Sequence, residues 1–260
     1  MSKPKVILFG GKAGNGKDYA AKTAKEYLEK FQYSVRILHF ADLLKYICKE
    51  YCDWDGKKDE KGRKLLQEIG TEVFRFMDKN YWVYFVKTIL TAFSEKWDYV
   101  LIPDFRFPNE ASELSYSGFD VYSIQIKTDK ECPYKDDHSL TSEEILHSSE
   151  NSLDYYIFNY RITNRYNDFF KNEIENVIDD IIRIATYQEE NKMKIIIFDY
   201  GDGQAQVFSS ILDKKGIDYS VQKKNKIFHT FTKRPVIEID GYKYDYIKAS
   251  SVLENLEAYI

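Results

Sequence analysis

At 260 residues, with 43% hydrophobic and 31% charged side chains, the chain is long enough for one large α/β domain or two smaller ones. The composition excludes a disordered or collagen-like chain, and a net charge of -4 gives no electrostatic reason to expect DNA or RNA as a partner. No apolar run reaches membrane-spanning length, and Met1-Ser2-Lys3-Pro4 leads straight into the first predicted strand, so a soluble, cytoplasmic protein without a membrane partner is expected. Cys48, Cys52 and Cys132 form an odd set without a disulfide spacing, as in a reducing compartment. Cys48 and Cys52 lie four apart on a predicted helix but lack the second Cys/His pair of a structural zinc site, so they read as buried or half-buried thiols.

The apolar run Val6 to Phe9 predicts a strand that empties into Gly10-Gly11-Lys12-Ala13-Gly14-Asn15-Gly16-Lys17-Asp18 and then a helix. A strand, a glycine-rich turn and a helix N-terminus in succession turn several backbone N–H groups toward one concavity, where a phosphate can sit, and Lys17 adds positive charge. The pattern Gly11-x-x-x-x-Gly16-Lys17 is that of a phosphate-binding loop, except that Asp18 stands where the pattern has Ser or Thr. A bare carboxylate beside a triphosphate is repelled, so Asp18 either faces a cation or turns away as an acidic helix-start residue. Tyr19, Ala20, Thr23, Ala24, Tyr27 and Leu28 recur with helical period, Val35 to Phe40 reads as a second strand, and Leu43, Leu44, Ile47, Cys48 and Tyr51 stripe the next helix. Two βα units in succession indicate a parallel sheet.

Asp53 to Lys61 is charged and aperiodic, a surface loop. A helix from Gly62 to Met77 is predicted to turn Leu65, Leu66, Ile69, Val73 and Phe76 inward, with Gln67, Thr71 and Arg75 sharing another face, either a solvated side or a substrate-binding one. Tyr81 to Phe93 is a further helix. Trp97 to Asp104 reads as a buried parallel strand closed by a carboxylate. Because ligands bind beyond the carboxyl ends of strands in open α/β sheets, Asp104 belongs on the same edge as the glycine loop, able to hold Mg²⁺ through water or to accept a hydrogen bond from a substrate. Arg106 follows as a candidate phosphate ligand, the plainer alternative being a local Asp104–Arg106 ion pair, and Pro108-Asn109-Glu110 starts a helix.

Val121 to Lys127 alternates as a strand, and Thr128 to Leu146 is a polar excursion, either a lid or an ordinary surface insertion. Tyr155 to Arg161 reads as an aromatic strand, and Thr163-Asn164 as the cap of a helix carrying Phe170, Ile174, Val177, Ile178, Ile181 and Ile182 inward to about Ala185. Glu189-Glu190-Asn191-Lys192 is the linker candidate, dividing the chain into residues 1–190 and 191–260. Beyond it come a strand Lys194 to Phe198, a loop with Gly201 and Gly203, a helix to about Lys215, a strand near Tyr219 and a hairpin, Val236 to Ile239 and Tyr242 to Tyr246, turned through Asp240-Gly241. A helix from Ser251 to Tyr259 closes the chain.

Four motifs in order, Gly16-Lys17-Asp18, Leu65 to Thr71 with Arg75, Asp104-Phe105-Arg106-Phe107-Pro108-Asn109-Glu110 and His147-Ser148-Ser149-Glu150, resemble the deoxynucleoside monophosphate kinases of tailed bacteriophages, members of the P-loop nucleoside monophosphate kinases. The resemblance spans roughly residues 5 to 187. It implies an α/β P-loop kinase with a five-stranded parallel sheet flanked by helices, a moving lid, ATP as donor, Mg²⁺ as cofactor and a deoxynucleoside monophosphate as acceptor, acting in the cytoplasm of an infected bacterial host if the chain is phage-encoded. It further implies that Gly11, Lys12, Ala13, Gly14, Asn15, Gly16, Lys17, Asp18 and Tyr19 hold the donor nucleotide. Gln67, Thr71, Arg75, Asp104, Arg106 and Glu150 would lie on the acceptor side, with Lys17, Arg75, Arg106 and Asp104 as the catalytic set and Asp18 and Asp104 as metal candidates. His147, Ser149 and Glu150 match a family signature to which no role is assigned. Tyr19, where these relatives often have Thr, and the arginine-poor excursion are departures, so that charge neutralisation falls on Lys17, Arg75, Arg106 and the metal.

The segment from Lys192 is similar to a small thioredoxin/glutaredoxin-like α/β domain in its element order and in Thr232-Lys233-Arg234-Pro235 before a hairpin strand, with Pro235 in the place of that fold's cis-proline. Asp199 to Gln204 stands in place of the dithiol motif and no cysteine follows Cys132, which excludes thiol–disulfide chemistry there and leaves packing against the kinase, homo-oligomerisation or a protein partner. Two other functions compete: another small-molecule kinase, such as a dephospho-coenzyme A kinase, with Asp104 as base, and a non-enzymatic ATP-responsive binding module. A guanine-nucleotide switch is disfavoured, since Asn225-Lys226 is followed by Ile227-Phe228 rather than by the x-Asp of a base-reading motif.

Overall fold

A computed structural model describes residues 3–57, 59–128, 147–190, 195–200, 203–215, 217, 219–223, 236–239, 241–244 and 249. Two compact units divide the chain, Met1–Ile184 and Ala185–Ile260. In the first, β1 (Lys5–Gly10), β2 (Val35–Ile37), β3 (Tyr99–Phe105), β4 (Val121–Thr128) and β5 (Tyr160–Asn164) form one sheet in the order β2-β3-β1-β4-β5, every neighbouring pair parallel. The central strands are apolar on both faces because both are covered. Val6, Leu8, Val100 and Ile102 pack under α2 (Asp42–Tyr51), α4 (Tyr81–Ala92) and α5 (Pro108–Tyr116). Ile7, Phe9, Tyr99 and Leu101 pack under α1 (Lys17–Lys30) and α7 (Asp168–Glu190). The connection after β1 runs toward one edge of the sheet and the one after β3 returns across β1 toward the other, so the carboxyl ends of β1 and β3 open side by side at the switch point.

The helix expected from Gly62 to Met77 is α3 (Glu60–Gln67) followed by a π-helical stretch, Glu68–Arg75, and its start lies inside the segment read as a loop, capped by Asp59, whose side chain accepts the Gly62 N–H at 2.8 Å. The hydrogen bond of a π-turn spans five residues where that of an α-turn spans four. Counting from Ile69, the inward position therefore falls on Phe74, which packs between Tyr81 and Trp82 at ring-centroid distances of 4.7 and 5.0 Å. Val73 and Phe76, expected inside, are 41% and 88% exposed. Gly70 lies where α2 crosses this stretch: a Cβ there would sit 2.6 Å from Leu44 Cδ2. Tyr51, expected in the α2 stripe, is the last residue of its helix and exposed.

Four further expectations are corrected. Strand β2 ends at Ile37 rather than Phe40. Strand β5 begins at Tyr160 rather than Tyr155, because Tyr156 and Phe158 fold edge-on over Phe105 at 5.1 and 5.9 Å and seal the end of β3, while Tyr155 and Ile157 point outward. Asn164 is consequently the last residue of β5, not a helix cap, and α7 runs on through Glu189 and Glu190.

In the second unit β6 (Ile195–Asp199), α8 (Gln204–Lys215), β7 (Ser220–Lys223), β8 (Ile237–Ile239) and β9 (Tyr242–Tyr244) build a sheet in the order β7-β6-β8-β9. β6 and β7 are parallel, and the other pairs are antiparallel. Ile239 faces Tyr242 across the hairpin, with Gly241 at φ 85°. Ile195, Ile197, Phe208, Leu212 and Ile237 form its core. The excursion beyond Thr128, with Cys132, the linker residues Asn191-Lys192, the segment Thr232 to Pro235 and the helix from Ser251 to Tyr259 lie outside the described residues. Among the described residues no helix is long and apolar enough to cross a membrane.

Candidate active site

The glycine loop bridges β1 and α1 in tight quarters. Gly11 (φ 143°) approaches the Ile126 carbonyl so closely that a Cβ would sit 2.3 Å from its oxygen, and at Gly16 (φ 93°) a Cβ would sit 2.6 Å from Asn164 Nδ2. Both backbone conformations and both contacts require glycine. Two buried amides tether the loop to neighbouring strands. Asn15 Nδ2 donates to the Ile126 carbonyl of β4 at 2.9 Å; Asn164 Nδ2 donates to the Asn15 carbonyl at 3.0 Å, and its Oδ1 accepts the Tyr166 N–H at 2.8 Å. Tyr166 OH adds a bond to the Gly14 carbonyl.

Lys17, the first residue of α1, is buried and donates to the Gly11 and Lys12 carbonyls, both at 2.8 Å. Burial, helped by the nearby Arg106 charge, pushes its ammonium down to about 7 against the pull of Glu150, Asp18 and Asp104. Glu150 belongs to the short helix α6 (Ser148–Asn151), and its carboxylate accepts both the Ala13 N–H of the loop at 3.1 Å and the Arg106 guanidinium. His147 caps the turn that presents Glu150: its Nδ1 accepts the Ser149 N–H and meets Ser149 Oγ at 2.8 Å. Lys12 is drawn into the same helix, donating to the Glu150 carbonyl, Asn151 Oδ1 and Asp154 Oδ1. A cleft of about 460 Å³ lies here, lined by Gly11, Lys12, Asn15, Arg106, residues 125–128, Ser149, Glu150, Leu153 and Asp154.

Arg106 pairs with Glu150, so the local Asp104–Arg106 ion pair does not form. Asp104 uses its two oxygens to accept the Phe40 and Ala41 N–H groups, both at 3.0 Å, and thereby anchors the N-terminus of α2. Arg75 is mostly buried, its guanidinium carbon 4.1 Å from the centre of the Phe107 ring, and it pairs with Glu110. Burial lifts the Glu110 carboxyl to about 7, opposed by Arg75 and two backbone amides. Gln67 and Thr71 lie half-buried on the α3–π stretch that carries Arg75. Tyr19 is half-exposed and stacks on Phe170 at 5.8 Å.

His39, past the end of β2, was not a sequence candidate. Its Nε2 lies 3.7 Å from Asp18 Oδ1 and its Nδ1 3.4 Å from Asp42 Oδ1. Burial pulls the imidazole down, but the neighbouring Asp18 and Asp42 carboxylates and the charge of Asp104 outweigh it and raise it to about 9. An imidazolium thus faces Asp18. The available signal was position alone, a titratable residue just past a strand end on the ligand edge of the sheet. Among the described residues no group of three or more His, Cys, Asp or Glu could hold a metal ion. Cys48 is buried, its thiol pushed up to about 11 by burial and by Cys52, which is half-buried.

Residues 45–168 match the family model described as deoxynucleotide monophosphate kinase. The match covers a little under half of the chain, within the Met1–Ile184 unit. The part matched to this kinase family includes Arg75, Asp104, Arg106, Glu110 and Glu150, while the glycine loop lies before it. No curated protein matches the chain. Solved structures similar to it include an APS kinase of Mycobacterium tuberculosis in complex with AMPPNP and APS, 13% identical with a TM-score of 0.41, covering 72% of this chain and 99% of that one. Another is a shikimate kinase from Bacteroides thetaiotaomicron, 11% identical with a TM-score of 0.37, covering 69% and 98%.

Proposed function

We propose that residues 1–190 form a nucleotide kinase that transfers the γ-phosphate of ATP to the 5′-phosphate of a deoxynucleoside monophosphate. One observation carries the reading. The Glu150 carboxylate is gripped at once by the Ala13 amide of the glycine loop, outside the family match, and by Arg106, inside it. An anionic group is therefore welcomed from both sides at the junction of donor and acceptor machinery, where a transferring phosphoryl group needs such contacts. Loop amides and Lys17 hold the donor phosphates; Arg75 and Arg106 take the acceptor phosphate.

A phosphate oxygen is already a nucleophile, so position and charge neutralisation supply the rate and no general base is required. The engagement of both Asp104 oxygens by backbone amides supports a phosphate acceptor over a hydroxyl one, for which Asp104 was the base candidate. Mg²⁺ keeps several waters and takes other ligands from phosphates, so one or two carboxylates suffice, and the exposed Asp18 fits that part. When bound, the ion neutralises charge between the β- and γ-phosphates.

The test is to incubate the full chain with Mg²⁺, ATP and each deoxynucleoside or ribonucleoside monophosphate, common and modified. Formation of a diphosphate from a deoxynucleotide, lost in Lys17→Ala, is the expected result; no diphosphate from any acceptor overturns the reading. Saturable ATP binding without transfer would instead favour the binding module.

Residues 191–260 are assigned to a glutaredoxin-like domain lacking redox cysteines. The sheet order β7-β6-β8-β9, with one parallel and two antiparallel pairs, supports this, as does the absence of any cysteine after Cys132 from the sequence. Its role is contact with a second copy or a protein partner, tested by light scattering of the full chain.

A further inference from the structure

Glu110 has no exposed surface, yet the phosphoryl-transfer reading gives it no task. It is the third residue of α5. One carboxylate oxygen receives the Arg75 guanidinium; the other accepts the N–H groups of Arg106 at 2.8 Å and Phe107 at 3.1 Å. The Phe107 bond alone is an ordinary service of a Glu at this position of a helix, one half of a capping box. The rest is not. The same carboxylate holds a side chain from the π-helical stretch and the main chain of the residue that carries the second arginine.

Arg75 is boxed from other directions as well. Its guanidinium lies over the Phe107 ring, and Nη1 donates to the Lys79 carbonyl at 3.1 Å. A fully buried ion pair is a poor device for stability, because an apolar pair of similar volume usually does as well. What a carboxylate offers and an apolar side chain does not is two acceptor oxygens in fixed relation, here one for the Arg75 guanidinium and one for the two amides.

We propose that Glu110 is a positioning residue for the acceptor phosphate: it orients the Arg75 side chain and the Arg106 main chain together, so that both guanidiniums reach the phosphate in one preset geometry. This rests on the reading of Arg75 and Arg106 as acceptor ligands. Pre-ordering two long side chains removes an entropic cost that would otherwise fall on acceptor binding. The effect belongs in the acceptor KM and not in the ATP KM.

The experiment is steady-state kinetics of the full chain with Mg²⁺-ATP and each of the four common deoxynucleoside monophosphates, for the wild type, Glu110→Gln and Arg75→Lys. Glu110→Gln keeps the volume and an acceptor for the two amides but puts an NH2 donor where the oxygen received Arg75. Tenfold or greater loss of acceptor affinity is expected, with the ATP KM within twofold, and a double variant no worse than about the poorer single one, since both act through one contact. Should Glu110→Gln fail to fold, Glu110→Asp, which keeps the charge but shortens its reach to Arg75, carries the same expectation. An unchanged acceptor KM, or equal rises in both KM values, in a folded variant overturns the positioning role while leaving the kinase reading intact. Failure of the wild type to phosphorylate any monophosphate, common or modified, removes both.

Discussion

Asn164→Ala tests the tethering of the phosphate loop. The side chain is 4% exposed and makes two hydrogen bonds, to the Asn15 carbonyl and from the Tyr166 N–H. Truncation strands both partners, and with about 1–3 kcal/mol for each stranded group, roughly 3 kcal/mol is a moderate sum. At roughly 2–4 °C per kcal/mol for a unit of this size, the melting temperature should fall by about 6–12 °C. Trp54, Trp82 and Trp97, all the tryptophans of the chain, lie in the Met1–Ile184 unit, so tryptophan fluorescence follows its unfolding alone. The loop, freed on its β5 side, should also bind ATP more weakly, by about tenfold if about 1.4 kcal/mol of the loss falls on the bound geometry. A helix cap at this position would behave differently, costing about 1 kcal/mol and leaving the ATP KM alone. A drop of only a few degrees with an unchanged KM would refute the tether.

Gly70→Ala should destabilise by about 1–3 kcal/mol through overpacking against Leu44, and by clearly less in a Leu44→Ala background; urea midpoints of the four proteins decide, equal costs in both backgrounds contradicting the contact. Glu110 binds more protons folded than unfolded between its ordinary 4.5 and about 7, so its contribution to stability is full below 4.5 and is lost as pH rises through about 7. Urea titrations across that range should show the slope in the wild type and its flattening in Glu110→Gln. Asp104→Ala should cost about 1 kcal/mol at the start of α2 and Asp104→Asn less, with the half-saturating Mg²⁺ concentration within twofold in the Asn variant; a larger shift would make Asp104 a metal ligand.

The central strands were legible because a parallel sheet covered on both faces writes itself as uninterrupted apolar runs, as in Val6 to Phe9 and Val100 to Ile102. The phosphate loop was legible because its geometry is local: glycine spacing, a lysine and a following helix suffice. Contacts between residues far apart in the chain were not. Nothing near Asn164 announces that its amide reaches Asn15, and its neighbourhood invited the commoner role of a helix cap. Asp104 was placed correctly at the end of a strand, but its partners Phe40 and Ala41 offer only backbone amides, which leave no trace in side-chain identity. The inward positions beyond Ile69 were misassigned because the hydrophobic period was counted at the α-helical value and no composition signal marks the change to the wider π-turn.

That wider turn can be regarded as an α-helix that has taken in one residue. Deleting an exposed member such as Glu72 would let the stretch 68–75 relax into regular α-helix while its two ends stay joined to the same neighbours. Each residue in an α-helix turns about 100°, so the shortened segment could keep Phe74 on the core or Arg75 beside Glu110 only by rewinding what flanks it. Local regularity and the aim of the arginine are thus in opposition here. The shorter chain should be the better helix and the poorer kinase.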